Sequence, residues 1–252
     1  MRLHEILSSL DRVLRGDGLG GDRATSSQPQ APARHLAAMA LLLGGFYGLS
    51  LGAYGLFRGA DQAWLRALAA ALKVPALFLL TLLVTFPSLY VFAALRRLPM
   101  GLRATLKLLL TAIVVHTAVL AGLAPVFAFF AASTNSYGFM LLLNVLFFVI
   151  GGLVGLSTLK RAAMLAVPTN VVQPKVEAGE PGSAAPRVQP VPEHQAQRLL
   201  TTWGLVYGVV GAQMAWLLRP FVGTPDLAFS LFRPREDNVF LGIVRVLKGL
   251  FS

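Results

Sequence analysis

Five stretches of the chain are apolar on every side, and the polar residues fall almost entirely between them. Leu36–Phe57 runs 22 residues without a charge. At about 1.5 Å per residue it spans about 33 Å, enough for a hydrocarbon core of about 30 Å. The second stretch, 74–95, is bounded by Lys73 and by Arg96–Arg97. The third runs from about 108 to 130. The fourth covers about 138–159 and stops at Lys160–Arg161. The fifth covers about 199–218, between Arg198 and Arg219–Pro220. No acidic residue occurs between Asp61 and Glu177, a run of 115 positions. A soluble helical bundle cannot do that and keep a solvated outer face. The pattern predicts an all-α polytopic membrane protein, a bundle of five transmembrane helices.

The pattern changes at both ends. Leu3, Ile6, Leu7, Leu10, Val13 and Leu14 recur at helical spacing, which predicts a short amphipathic helix over 2–15. A Gly/Pro/Ser-rich linker follows, so residues 1–35 form a cytoplasmic helix and linker. They do not read as a signal peptide, because four acids interrupt them and no apolar core is present. Residues 36–218 form the transmembrane domain, with a polar, Pro-rich and disordered loop at 162–197. In 219–252, Val239, Phe240, Ile243, Val244, Leu247, Leu250 and Phe251 mark one face of a terminal amphipathic helix. Between the first two spans, Trp64, Leu65, Leu68 and Leu72 lie opposite Asp61, Gln62 and Arg66. That spacing predicts a separate helix over 60–73, lying in the membrane interface.

Composition agrees with the pattern. Hydrophobic residues are 56% of the 252, and charged residues are 13%, against about 25% in soluble domains. The net charge of +11 would point to nucleic acid in a soluble protein. Here the basic residues flank the spans, so nucleic acid is not an expected partner and the lipid bilayer is. Counting Lys and Arg on alternate sides gives 14 on the side of the N-terminus and 8 on the other. The positive-inside rule then predicts an inner-membrane protein with its N-terminus cytoplasmic and its C-terminus periplasmic or external. With no cysteine in the chain, disulfides, thiolate metal sites and a cysteine nucleophile are excluded.

Candidate chemistry is sparse. His116 is the one ionisable side chain, tyrosines apart, inside a predicted span, and such a residue is a functional candidate by default. Asn144 and Gln213 are span amides that each need a partner. All three are candidate intramembrane polar contacts, either between helices or facing a shared cavity. Pro87 and Pro125 fall inside spans, where they should kink the helix. Gly44, Gly48 and Gly52, then Gly151 and Gly155, then Gly204 and Gly208, form rows at four-residue spacing. Such rows let helix backbones approach closely. Trp216, Arg219 and Phe221 form a candidate interface anchor at the exit of the fifth span. No catalytic residue, cofactor site or metal site is expected. The four histidines are scattered, and no catalytic motif occurs.

Lys73–Phe92 (KVPALFLLTLLVTFPSLYVF), Leu123–Phe130 (LAPVFAFF), Leu142–Phe148 (LLNVLFF) and Gly211–Pro225 (GAQMAWLLRPFVGTP) resemble blocks of an uncharacterised family of bacterial five-span membrane proteins. The plan is similar to that of the Yip-domain family, whose eukaryotic members sit in Golgi and endoplasmic-reticulum membranes. There they bind small GTPases or help shape membranes. The resemblance implies a shared fold and assigns no functional residue. The residues themselves lead to a first expectation of a non-catalytic scaffold or organiser of a membrane complex. It would hold a membrane-protein partner or a second copy through its terminal helices. The alternative is a transporter or channel component for a small solute.

Overall fold

The computed structural model describes residues 8, 10, 11, 13, 32–59, 62–95, 102–166 and 193–218. Most of the predicted N-terminal helix, the linker, most of the loop at 162–197 and the C-terminal tail lie outside these residues. So do Arg219 and Phe221, and the side chain of Trp216. The described residues form five long helices and no strand: α1 (Ala33–Phe57), α2 (Ala63–Leu95), α3 (Leu102–Ser133), α4 (Tyr137–Ala166) and α5 (Glu193–Leu218). Four contain stretches long and apolar enough to cross a membrane: Ala33–Phe57, Ala63–Val91, Thr105–Ser133 and Tyr137–Ala162. These are the attributes of a multi-pass membrane protein. The fifth helix is less apolar, because it opens on Glu193, His194, Gln195, Gln197 and Arg198 and carries Thr201, Thr202 and Gln213 further on.

The helices are longer than the hydrophobic pattern implied. The expected interfacial helix over 60–73 is not a separate element, since α2 runs unbroken from Ala63 through Lys73. Its inner face is buried against α1: Ala67 and Ala70 are 5% exposed, while Trp64 faces outward. Arg66, which the spacing assigns to a polar interfacial face, is instead buried on the first turn of a helix packed in the bundle. Pro75 thus lies in the helix interior. It leaves the Ala71 carbonyl without its helical amide partner. Gly45 lies against that carbonyl, so that a Cβ placed there would be 3.4 Å from the oxygen.

The row Gly44, Gly48 and Gly52 explains why α1 and α2 pair so closely. A Cβ at Gly44 would sit 3.2 Å from the Pro75 Cβ, and one at Gly48 would sit 2.6 Å from the Ala71 Cα. One at Gly52 would overlap Ala67. Only residues without a side chain fit between these backbones, where dispersion and Cα–H···O contacts hold helices together in lipid. The chain reverses between α1 and α2 through Gly59 and Gln62, which have φ of 61° and 54°. The α3–α4 turn is closed by Ser136, whose Oγ accepts from the Phe139 amide at 3.3 Å, as a helix cap does.

These two turns are tied together. Tyr54 Oη donates to the Asn135 carbonyl at 3.1 Å, and Arg58 donates to the Thr134 carbonyl. The Arg58 guanidinium also lies 5.4 Å over the Tyr54 ring. Behind them α1 lies along both α2 and α3, whereas α2 and α3 barely meet. α4 packs on α3, and α5 packs chiefly on α2 and only lightly on α4. α2, α3, α4 and α5 face a common space, to which α1 contributes no lining residue.

Candidate functional site: a cavity among four helices

That space is a cavity of about 560 Å³, within the range of about 300–1,000 Å³ usual for small-molecule sites. α2 contributes Leu77, Phe78 and Leu82, and α3 contributes residues from Leu109 to His116. α4 lines it from Asn144 to Leu159, and α5 from Trp203 to Ala215. Among the described residues, no Asp, Glu, Lys or Arg lines it. The polar side chains on the wall, among the described residues, are His116, Asn144, Trp203 and Tyr207.

His116 sits at mid-height. The glycines Gly151 and Gly155, which the sequence marks only as a packing row, form its seat on α4. A Cβ at Gly151 would lie 2.6 Å from His116 Cδ2 and 2.9 Å from Nε2; one at Gly155 would lie 3.3 Å from His116 Cβ. Any side chain there would displace the imidazole. Phe78 meets the ring edge-on at 4.5 Å, and Phe148 does so at 6.2 Å. His116 Nε2 is buried and has no hydrogen-bond partner among the described residues, while the residue borders the cavity. Thr111 and Thr117, its polar neighbours in sequence, turn back to their own helix. Thr111 Oγ1 donates to the Lys107 carbonyl at 2.9 Å, and Thr117 Oγ1 to the Ile113 carbonyl at 3.0 Å.

Asn144 is 1% exposed. Its Oδ1 accepts a hydrogen bond from Tyr47 Oη at 2.8 Å, so α1 reaches α4 across the bundle. Tyr47 is held in place by Phe127 and Phe148. Asn144 also borders the cavity, with its carbonyl oxygen engaged by Tyr47. Gln213 does not join these groups. It is exposed on α5 and absent from the cavity wall, so the expected trio of polar contacts reduces to His116 and Asn144. Pro87 and Pro125 are also exposed, and both lie within continuous helices.

The contacts that seat α5 were not anticipated. Trp203 Nε1 donates to the Thr85 carbonyl at 3.3 Å, and Tyr207 Oη donates to the Phe78 carbonyl at 3.2 Å. Trp203 and Tyr207 are four residues apart and share a helix face. The matching stretch of α2 carries Thr81, Thr85 and Ser88, whose hydroxyls back-bond to Leu77, Thr81 and Thr85 carbonyls at 2.7, 2.8 and 2.7 Å. Two four-residue spacings of polar side chains were the signal in the sequence. The row Gly204–Gly208 behaves unevenly. A Cβ at Gly204 would lie 2.5 Å from Leu156 Cδ1, but nothing lies within 4 Å of one at Gly208. Gly208 is therefore not a packing position among the described residues.

No three His, Asp or Glu side chains gather into a metal-binding group among the described residues. Comparison with protein-family profiles, curated proteins and solved structures gives no match.

Proposed function

We propose that this is a non-catalytic five-span inner-membrane protein that holds a small ligand of low polarity in its intramembrane cavity, as a carrier or transporter component. In this reading α5 is the fifth span, the N-terminus is cytoplasmic, and the tied α1–α2 and α3–α4 turns face outward. The plan is Yip-like in span number and orientation. The observation that carries the reading is the uncharged cavity of about 560 Å³. In lipid, helices gain little by leaving such a space, since packing contacts are what hold them together. A scaffold acting through the chain's two ends draws on residues mostly outside those described, whereas the cavity lies among described residues.

Trp203 is on the cavity wall and 5% exposed, which makes it a reporter. In a protein retaining Trp203 alone (Trp64→Phe, Trp216→Phe), reconstituted in phosphatidylcholine nanodiscs, bromobenzene should quench its fluorescence saturably. Filling the cavity with Ala212→Phe should abolish the saturable component. Quenching that rises only linearly with bromobenzene, as for simple partition into the bilayer, would sink the proposal.

A further inference from the structure

We infer that the ligand is a single-chain lipid with an uncharged headgroup, admitted sideways from the bilayer between α4 and α5. The inference rests on the ligand-binding reading above. The first ground is shape. From Asn144 to Leu159 the wall runs along α4 for about 22 Å, and from Trp203 to Ala215 along α5 for about 18 Å. A space that long within a hydrocarbon core of about 30 Å suits a chain better than a compact solute.

The second ground is the opening. Val149, Leu153, Leu205 and Val209 all line the cavity, yet they are 51%, 64%, 65% and 54% exposed. The cavity wall and the outer apolar surface are therefore continuous between α4 and α5. The two helices close at Gly204 against Leu156 and stand apart at Gly208, where none of the described residues comes within 4 Å of a Cβ. A ligand dissolved in the bilayer meets this gap without crossing a polar layer.

The third ground is chemistry. With no charged residue among the described residues of the wall, an ionised headgroup would lose its hydration with no countercharge from them in exchange. Asn144 lies at the end of the slot nearest the α3–α4 turn, with its oxygen engaged by Tyr47. Its amide N–H is the donor left to it, and an ester or amide carbonyl is the acceptor that would match it. The hydrocarbon chain then runs past the His116 ring towards Trp203 and Leu159.

The test uses the Trp203-only protein in phosphatidylcholine nanodiscs, with a monoacylglycerol carrying a dibrominated chain as the quencher. Saturable quenching at low mole fraction is expected. Gly208→Phe, which places a ring in the gap, should weaken it about tenfold or more, a difference of about 1.4 kcal/mol. Gly122→Phe is the control, since Gly122 also has nothing within 4 Å of a Cβ but is not on the wall; it should leave binding unchanged. If bromobenzene saturates and the monoacylglycerol does not, the lipid is wrong and the cavity reading survives. If neither saturates, both fall. Equal binding in Gly208→Phe would overturn the sideways route, and equal binding of the ionised brominated fatty acid would overturn the uncharged headgroup.

Discussion

The α1–α2 seam and the α4–α5 gap start from the same sequence feature and end in opposite structures. Both are marked by glycines four residues apart: Gly44, Gly48 and Gly52 on α1, Gly204 and Gly208 on α5. On α1 each glycine meets a small or rigid partner on α2, namely Pro75, Ala71 and Ala67 in turn. On α5 the first glycine meets the tip of Leu156 and the second meets nothing. A row of small residues thus permits close approach but does not cause it. The facing helix decides, and α4 presents Leu153 and Leu156 where α2 presents alanines. The seam is dry and fixed, and the gap is left for something else to fill.

The largest effect is expected from closing off the seam. A side chain at Gly52 would overlap Ala67 at both Cα and Cβ, so backbone rather than a side-chain tip must move. Gly52→Val should therefore cost about 3 kcal/mol or more, at the upper end of overpacking effects. Reversible unfolding of the purified protein by graded SDS measures this. A cost under about 1 kcal/mol would mean that the seam is not as tight as its geometry.

Much of this contrast could not be read from the chain alone. The apolar stretches and the glycine rows are properties of single helices, and they are visible in sequence. Which row faces which helix depends on tertiary pairing, so the seam and the gap looked alike. The stretch 60–73 misled for a related reason. Asp61, Gln62 and Arg66 imitate the polar face of an interfacial helix, yet Ala67 and Ala70 on that stretch are the small partners that α1 requires. His116 was recognisable as unusual, but its seat on Gly151 and Gly155 was not, because the two lie on different helices. Gln213 looked like Asn144 in sequence. Only Asn144 has a Tyr47 opposite to satisfy it.

A second, smaller effect is expected where the two regions meet. Asn144→Leu leaves the Tyr47 hydroxyl, on a residue 0% exposed, without its acceptor. An orphaned buried hydroxyl costs about 1–3 kcal/mol in general, and interhelical bonds in membranes fall towards the low end. About 1–2 kcal/mol is expected by the same SDS titration. Adding Tyr47→Phe should recover part of the loss, because no donor then remains to be satisfied. A double variant whose loss equals the sum of the two single ones would show that the pair is not coupled.

The gap itself should respond weakly, and differently at its two glycines. Gly204→Ala meets Leu156 Cδ1, the far end of a flexible side chain that can turn aside. The clash and the gain in helix propensity, about 0.5–1 kcal/mol for Gly to Ala, should then nearly cancel. A loss above about 2 kcal/mol would mean that Leu156 is as immovable as the α2 backbone, and the contrast between seam and gap would shrink.

The smallest change separates an open gap from an occupied one. Gly208→Ala adds a methyl where nothing lies within 4 Å, so only the propensity term should act. The protein should gain up to about 0.5–1 kcal/mol. Ligand quenching of Trp203 should stay as in the parent, since a methyl is too small to block the gap that a phenyl ring blocks. If Gly208→Ala instead destabilises the protein, something must press on that glycine in the membrane. A second copy is the first candidate, and cross-linking in nanodiscs at one and at two chains per disc would tell. Loss at two chains only would make α4 and α5 a contact between copies. Loss at one chain as well would mean that α4 and α5 close on each other in lipid, and that the cavity has no sideways opening.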